Sequence, residues 1–237
     1  MSLSTWVATL PHVLGATADV VTVDPTFAEY IFDMSVDVDP AISNSELTAL
    51  YESTTARVTA AGWSDSRISF QVGKARSVAN AGPITLALFE QMRGNDRFLT
   101  VSAGRATGCE GDFCVTIATD DPAALLAAVD EMIASAAALG GVQPATEFRA
   151  TSVDDTATVR AEPSADVDGA VSLWQQIAER GPLDKAAAIS IPGRAGHPDA
   201  QFLLVQVRSA TQQRDIEQFV GTQDVVDVKV LITEEGG

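Results

Sequence analysis

Histidine, cysteine and lysine are scarce in this chain of 237 residues, and each scarcity closes off a kind of chemistry. The only histidines, His12 and His197, have no ligand-type residue at metal spacing beside them. Neither comes with the oriented nucleophile that a general base needs. A haem protein would want for an axial ligand. No metal, cofactor or catalytic residue is therefore expected. Lysine is confined to Lys74, Lys185 and Lys229, and the other basic residues are arginines scattered along the chain. With 15 Lys+Arg against 32 Asp+Glu the formal net charge is -17, and the sequence pI is about 4.3. That balance repels nucleic-acid phosphates and anionic membrane surfaces, so neither is an expected partner. No apolar run approaches the roughly 18 residues that a membrane span needs, and no membrane insertion is expected. The acidity itself reads as solubility.

The two cysteines, Cys109 and Cys114, lie close together across a Gly-containing loop. They are either a local disulfide or two free thiols. An even count with no other thiol favours the disulfide, and with it a secreted or anchored, extracytoplasmic protein. Met1-Ser2-Leu3 leads straight into a helical pattern without the layout of a secretory signal. An extracytoplasmic placement therefore implies a leader lying outside this sequence; the cytoplasm is the alternative.

What the chain does have is 46% hydrophobic residues in well-marked periods. Phe113 to Ile117 alternates as a strand. Pro122 to Leu139 follows as a helix with Asp121 as its cap, an apolar stripe of Leu125, Val129, Met132, Ile133 and Ala136, and Gly140-Gly141 as its stop. Before these come a helix over Ser4–Leu14 weakened by Pro11, strands over Asp19–Val23 and Glu29–Val38, and a helix opened by the Ser43/Glu46 capping box. Then follow a strand over Arg67–Val72, a polar link over Gly73–Ala81, a helix over Pro83–Arg93 and a strand over Phe98–Ala103. After the central unit come strands over Glu147–Ala150 and Thr156–Ala161, a helix from Asp168, strands over Ala187–Ile191 and Phe202–Val207, a helix over Thr211–Val220, and a strand over Val225–Ile232. Leu50, Val58, Leu125, Val129, Ile133, Ile177 and Ile216 fall on the apolar helix faces and are the expected core.

The unit recurs in residues as well as in pattern. Gly82-Pro83-Ile84-Thr85-Leu86 leads to Arg93-Gly94, and Gly169-Ala170-Val171-Ser172-Leu173 leads to Arg180-Gly181. Each is followed by a strand and by Gly-Arg-Ala, at Gly104-Arg105-Ala106 and Gly193-Arg194-Ala195. A third, partial copy opens the chain. With a strand ahead of the first helix, the order is strand-helix-strand-strand-helix-strand. The expected fold class is α+β, with tandem ferredoxin-like (split βαβ) repeats, mainly antiparallel sheets and helices on one face. The repeats are expected over 1–73, incomplete, then 74–153 and 154–237. The architecture resembles tandem ferredoxin-like repeats in topology alone.

The loops of those repeats carry the candidate ligand-binding residues: Gly104, Arg105, Gly193, Arg194 and His197. Glycines let backbone amides converge on an anion, and an arginine pairs with carboxylate or phosphate. The plainer reading is a hairpin glycine and a solvated tip. Asp33, Asp37 and Asp39 alternate as the solvent side of a strand. Trp6, Trp63 and Trp174 read as anchors of a core or an interface. Three classes of function follow. The first is a non-catalytic extracytoplasmic binding or structural module, with a protein partner or a second copy of itself. The others are a regulatory binder of an unidentified small molecule and a dimeric α+β barrel-type enzyme in the cytoplasm.

Overall fold

The computed structural model describes the chain except for residues 1, 25–28, 65, 105–108, 110, 144–145, 164, 192–199, 223–225 and 234–237. It is an α+β protein of six helices and eleven strands among the described residues, and its strands form mixed sheet. Two compact units divide the chain: Met1–Gly94 with Val101–Glu110, and Asn95–Thr100 with Gly111–Gly237.

The first unit contains α1 (Leu3–Val7), β1 (Val13–Asp24), β2 (Glu29–Val38), α2 (Asn44–Ala60), β3 (Ser66–Val72), β4 (Arg76–Ala79), α3 (Pro83–Met92) and most of β5 (Thr100–Ala103). α2 begins where Ser43 accepts from the Glu46 amide and Glu46 reaches back to the Ser43 amide, two orphan donors satisfied at once. It ends at Gly62, whose φ of +95° closes the last turn at no Cβ cost. β1 pairs antiparallel with β2, β2 parallel with β3, β3 antiparallel with β4, and β4 parallel with β5. Phe32, Met34, Val36, Ile68, Phe70, Val78 and Val101 form the buried face, with Leu47, Leu50, Tyr51 and Val58 supplied by α2.

The second unit contains β6 (Phe113–Ile117), α4 (Pro122–Ala138), β7 (Phe148–Ser152), β8 (Ala157–Ala161), α5 (Asp168–Ala178), β9 (Lys185–Ile191), β10 (Ala200–Val207), α6 (Ala210–Val220) and β11 (Asp227–Ile232). Asp121 accepts from the Ala123 amide, Pro122 takes the first helical position, and Gly140 and Gly141 follow the helix with φ of +111° and +84°. Here too parallel and antiparallel pairs alternate: β6 with β7, β8 with β9 and β10 with β11 are parallel, β7 with β8 and β9 with β10 antiparallel. α4 packs on β7 and β8, α5 on β9 and β10, and α6 on β10 and β11. Phe148, Ala150, Val159, Ala188, Leu203, Val205 and Val230 bury one face of these strands.

The pairing departs from the split βαβ arrangement expected from the sequence. In a split unit another strand lies between the two joined by a helix. Here every crossover helix joins strands that are direct neighbours. The cause is local. The strands that enter four of the crossovers, β2, β4, β8 and β10, each already pair antiparallel with the strand before them, as β4 does with β3 across the turn at Gly73, whose φ is +64°. The crossover then fills the other side and leaves no gap to fold back into.

Three further expectations change. β4 occupies part of the expected polar link; with only Val78 and Ala79 apolar it has no alternation to betray it, yet it pairs on both sides. α1 stops at Val7 instead of running to Leu14, and β1 starts at Val13 and is far longer than the expected strand, because β2 holds it in register almost throughout. Ile133 is only half-buried, and its neighbour Met132 is the fully buried residue. Leu50, Val58, Leu125, Val129, Ile177 and Ile216 are buried as expected.

Candidate functional site

Successive side chains of a strand point to opposite faces, so covering one face of the second unit with helices leaves the other to be filled from the same strands. On β7 and β8 that second face carries Arg149, Thr151, Thr158 and Arg160; on β9 and β10 it carries Lys185, Ala187, Ile189, Phe202, Leu204 and Gln206. None of these side chains is fully buried. The register aligns them in rows. Arg149 stands opposite Arg160, which stands beside Ile189 and then Phe202. Thr151, Thr158, Ala187 and Leu204 make the next row, and Lys185 faces Gln206. The cations scattered through the sequence are thus brought onto one face by strand register.

Like charges directly opposite one another destabilise a sheet unless they are compensated. Two carboxylates compensate here. Glu147 pairs with Arg160. Asp155, in the β7–β8 hairpin, stands 3.6 Å from Arg149 Nη2 and 3.3 Å from Lys185 Nζ. The backbone of Asp155 is left-handed, with φ of +57°, a conformation that Asp and Asn tolerate better than other side chains. The hairpin is held by Ser152, which donates to Asp154 at 2.6 Å, and by the Thr156 amide, which donates to Asp154 at 3.3 Å. The Ser152 hydroxyl, with help from Thr156, keeps the Asp154 carboxyl below its ordinary range. Arg149 Nε donates to Thr151 at 3.2 Å, which fixes the guanidinium over the sheet. Between the hairpin and β10 lies an open, shallow concavity of about 130 Å³, lined by Arg149, Asp155, Thr158, Lys185, Leu204 and Gln206 among others.

Glu147 closes the far end of the face. Its Oε1 is buried without a hydrogen-bond partner among the described residues, and burial pushes its carboxyl above the ordinary range, although Arg160 pulls the other way. Glu162 is also pushed up, by burial first and by the Glu147 charge second. The Asp112 carboxylate accepts from the Glu147 amide at 3.1 Å, which ties the loop before β6 to β7.

Of the residues singled out from the sequence, Cys109 and Cys114 are bonded to each other: both are in a disulfide, and the chain has no other cysteine. Gly104 has φ of +69°, and a Cβ there would sit 1.7 Å from the Ala79 carbonyl oxygen, so its backbone requires glycine whatever the loop does. Arg105, Gly193, Arg194 and His197 lie outside the described residues. His12 is 3.2 Å from the α2 cap residue Glu46. Asp33 is 3.4 Å from Arg67 on a polar strand face; Trp63 stacks on Phe32 at 5.3 Å, and Trp174 is buried. Among the described residues no cluster of three or more His, Cys, Asp or Glu is arranged to hold a metal ion, and no helix is long and apolar enough to cross a membrane. Sequence reasoning missed Arg149, Asp155, Lys185 and Leu204. The only hint was that two of the chain's rare lysines and several arginines fall on alternating strands.

The chain matches no family model, no curated protein and no solved structure.

Proposed function

We propose that this chain is a non-catalytic binding module that works outside the cytoplasm and takes its ligand on the helix-free face of the second unit. The observation that carries the reading is the convergence of Arg149 and Lys185 on Asp155, on a sheet face that also carries Arg160, in a protein whose net charge is -17. One of the carboxylates that compensate these cations, Asp155, is exposed, and recognition of an external anion is a reason to keep cations so placed. The Cys109–Cys114 bond supports the compartment, since such bonds persist in oxidising surroundings. A cytoplasmic small-molecule regulator is the second reading; the concavity suits it equally, and the disulfide speaks against it. The chain is built from three copies of a helix-strand-strand-helix-strand unit, a reading supported by the residue echoes and by the order α1β1β2α2β3, α3β5β6α4β7, α5β9β10α6β11.

A thermal-shift screen of small organic anions at matched ionic strength tests the binding reading, because a ligand specific for the native state raises the melting temperature. At least one anion should raise it for the wild type and fail to do so for the Arg149→Met/Lys185→Met double variant. No rise with any anion, or an equal rise in the variant, would overturn the assignment of this face.

A further inference from the structure

We infer that the concavity over β8, β9 and β10 takes a carboxylate with an extended apolar tail, an inference that rests on reading this face as a binding surface. The head site is already drawn by the protein itself. The Asp155 carboxylate meets Arg149 and Lys185 together, at 3.6 Å and 3.3 Å, from a hairpin that leaves it well exposed. It is a resident anion held loosely between two cations, and an incoming carboxylate of the same shape makes the same pair of contacts. The Lys185–Asp155 pair is exposed on both sides, and such pairs are worth little, so an incoming carboxylate displaces Asp155 from Lys185 at little cost. Thr158 and Gln206 line the same hollow and offer donors to a second oxygen.

The tail site follows from register. Along β9 the face runs from Lys185 through Ala187 to Ile189, about 13 Å of strand. On β10 the matching positions are Gln206, Leu204 and Phe202. Along these two strands the side chains go from charged and amide groups at the Lys185–Gln206 end to Ala187 and Leu204 in the hollow and Ile189 and Phe202 beyond it, a narrow apolar strip flanked by Arg160 on β8 and by Asp227 and Lys229 on β11. A bare inorganic anion satisfies only the first part. A neutral apolar molecule satisfies only the second, and leaves two cations on Asp155 undisturbed. An amphipathic carboxylate satisfies both, which is how ligand sites generally divide apolar contact from a few orienting polar groups.

The test is isothermal titration of the full chain at fixed ionic strength with octanoate, octanol, acetate and inorganic phosphate. Octanoate should bind saturably, and each of the others about tenfold or more weakly. Leu204→Ser should weaken octanoate and leave acetate unchanged. Asp155→Asn should tighten octanoate by about two- to fivefold, because it removes the competing carboxylate while keeping a residue at home in a left-handed turn. Unchanged melting temperatures would show that both variants are folded. Octanol binding as tightly as octanoate, or no effect of Asp155→Asn, overturns the head assignment. Phosphate binding as tightly as octanoate, or no effect of Leu204→Ser on octanoate, overturns the tail. In either case a positive anion screen leaves the binding-surface reading standing. No binding of octanoate together with a negative screen overturns both.

Discussion

Replacing Gly104 by alanine separates a glycine kept for a ligand from a glycine kept for the backbone. Two costs are set by the structure. The residue is left-handed, φ +69°, and an L side chain there costs about 1–2 kcal/mol. The added Cβ would also lie 1.7 Å from the Ala79 oxygen and 2.9 Å from its carbonyl carbon, both backbone atoms of β4 that cannot rotate away. Forcing that much overlap out of a packed segment adds about 1–3 kcal/mol. Gly62 is the internal control in the same unit: its φ is +95°, and a Cβ there would meet nothing within 4 Å. Gly62→Ala therefore carries the dihedral cost alone. Urea unfolding followed by tryptophan fluorescence, with the slope checked for constancy, reads both. The expected order is wild type, then Gly62→Ala, then Gly104→Ala lower by about a further 1–3 kcal/mol. Equal losses in the two variants would refute the close approach of Gly104 to β4.

Leu125→Ala on α4, where the side chain is fully buried, should cost about 2–5 kcal/mol, whereas Ile133→Ala, half-buried on the same helix, should cost clearly less; urea midpoints decide it. Reducing the Cys109–Cys114 bond should cost no more than about 2 kcal/mol, since the closed loop is short; a collapse of the fold on reduction would contradict this. The raised Glu147 carboxyl means that the folded protein holds its proton to higher pH than the unfolded chain does. Its contribution is fully present below the ordinary carboxylate range and is lost as pH climbs through the raised value. Glu147→Gln should flatten that part of the stability profile, as followed by urea midpoints between pH 4 and 7. An unchanged profile would show that Glu147 titrates as an ordinary carboxylate. Asp184 works in the opposite sense: Thr233 and Arg208 hold its carboxyl low, so its contribution is lost as pH falls.

Elements were legible where they carry their own marks. The Ser43/Glu46 box, Asp121-Pro122 and Gly140-Gly141 announced α2 and α4, and the alternation of Phe113, Val115 and Ile117 announced β6. β4 and most of β1 were not, because they are strands by virtue of their neighbours: Ser77 has no strand signature until it lies opposite Ser102, 2.8 Å away between hydroxyls. Strand order was illegible for the same reason. Periodicity says which side chains share a face of one strand and nothing about which strand lies next. The proposed binding face depends on that missing information. Arg149, Arg160 and Lys185 are distant in sequence and look like scattered solvated charges until two sheet pairings align them. Of the loop candidates, Gly104 answers to backbone geometry, and Arg105, Gly193, Arg194 and His197 lie outside the described residues.

The central claim is that the helix-free face of the second unit binds a carboxylate, and residue-resolved NMR of the full chain titrated with octanoate tests it most directly. The account predicts saturable amide shifts confined to β7, β8, β9, β10 and the Asp155 hairpin, with Thr158, Lys185, Leu204 and Gln206 among the largest. Shifts scattered over both units, or centred on the first, would contradict it.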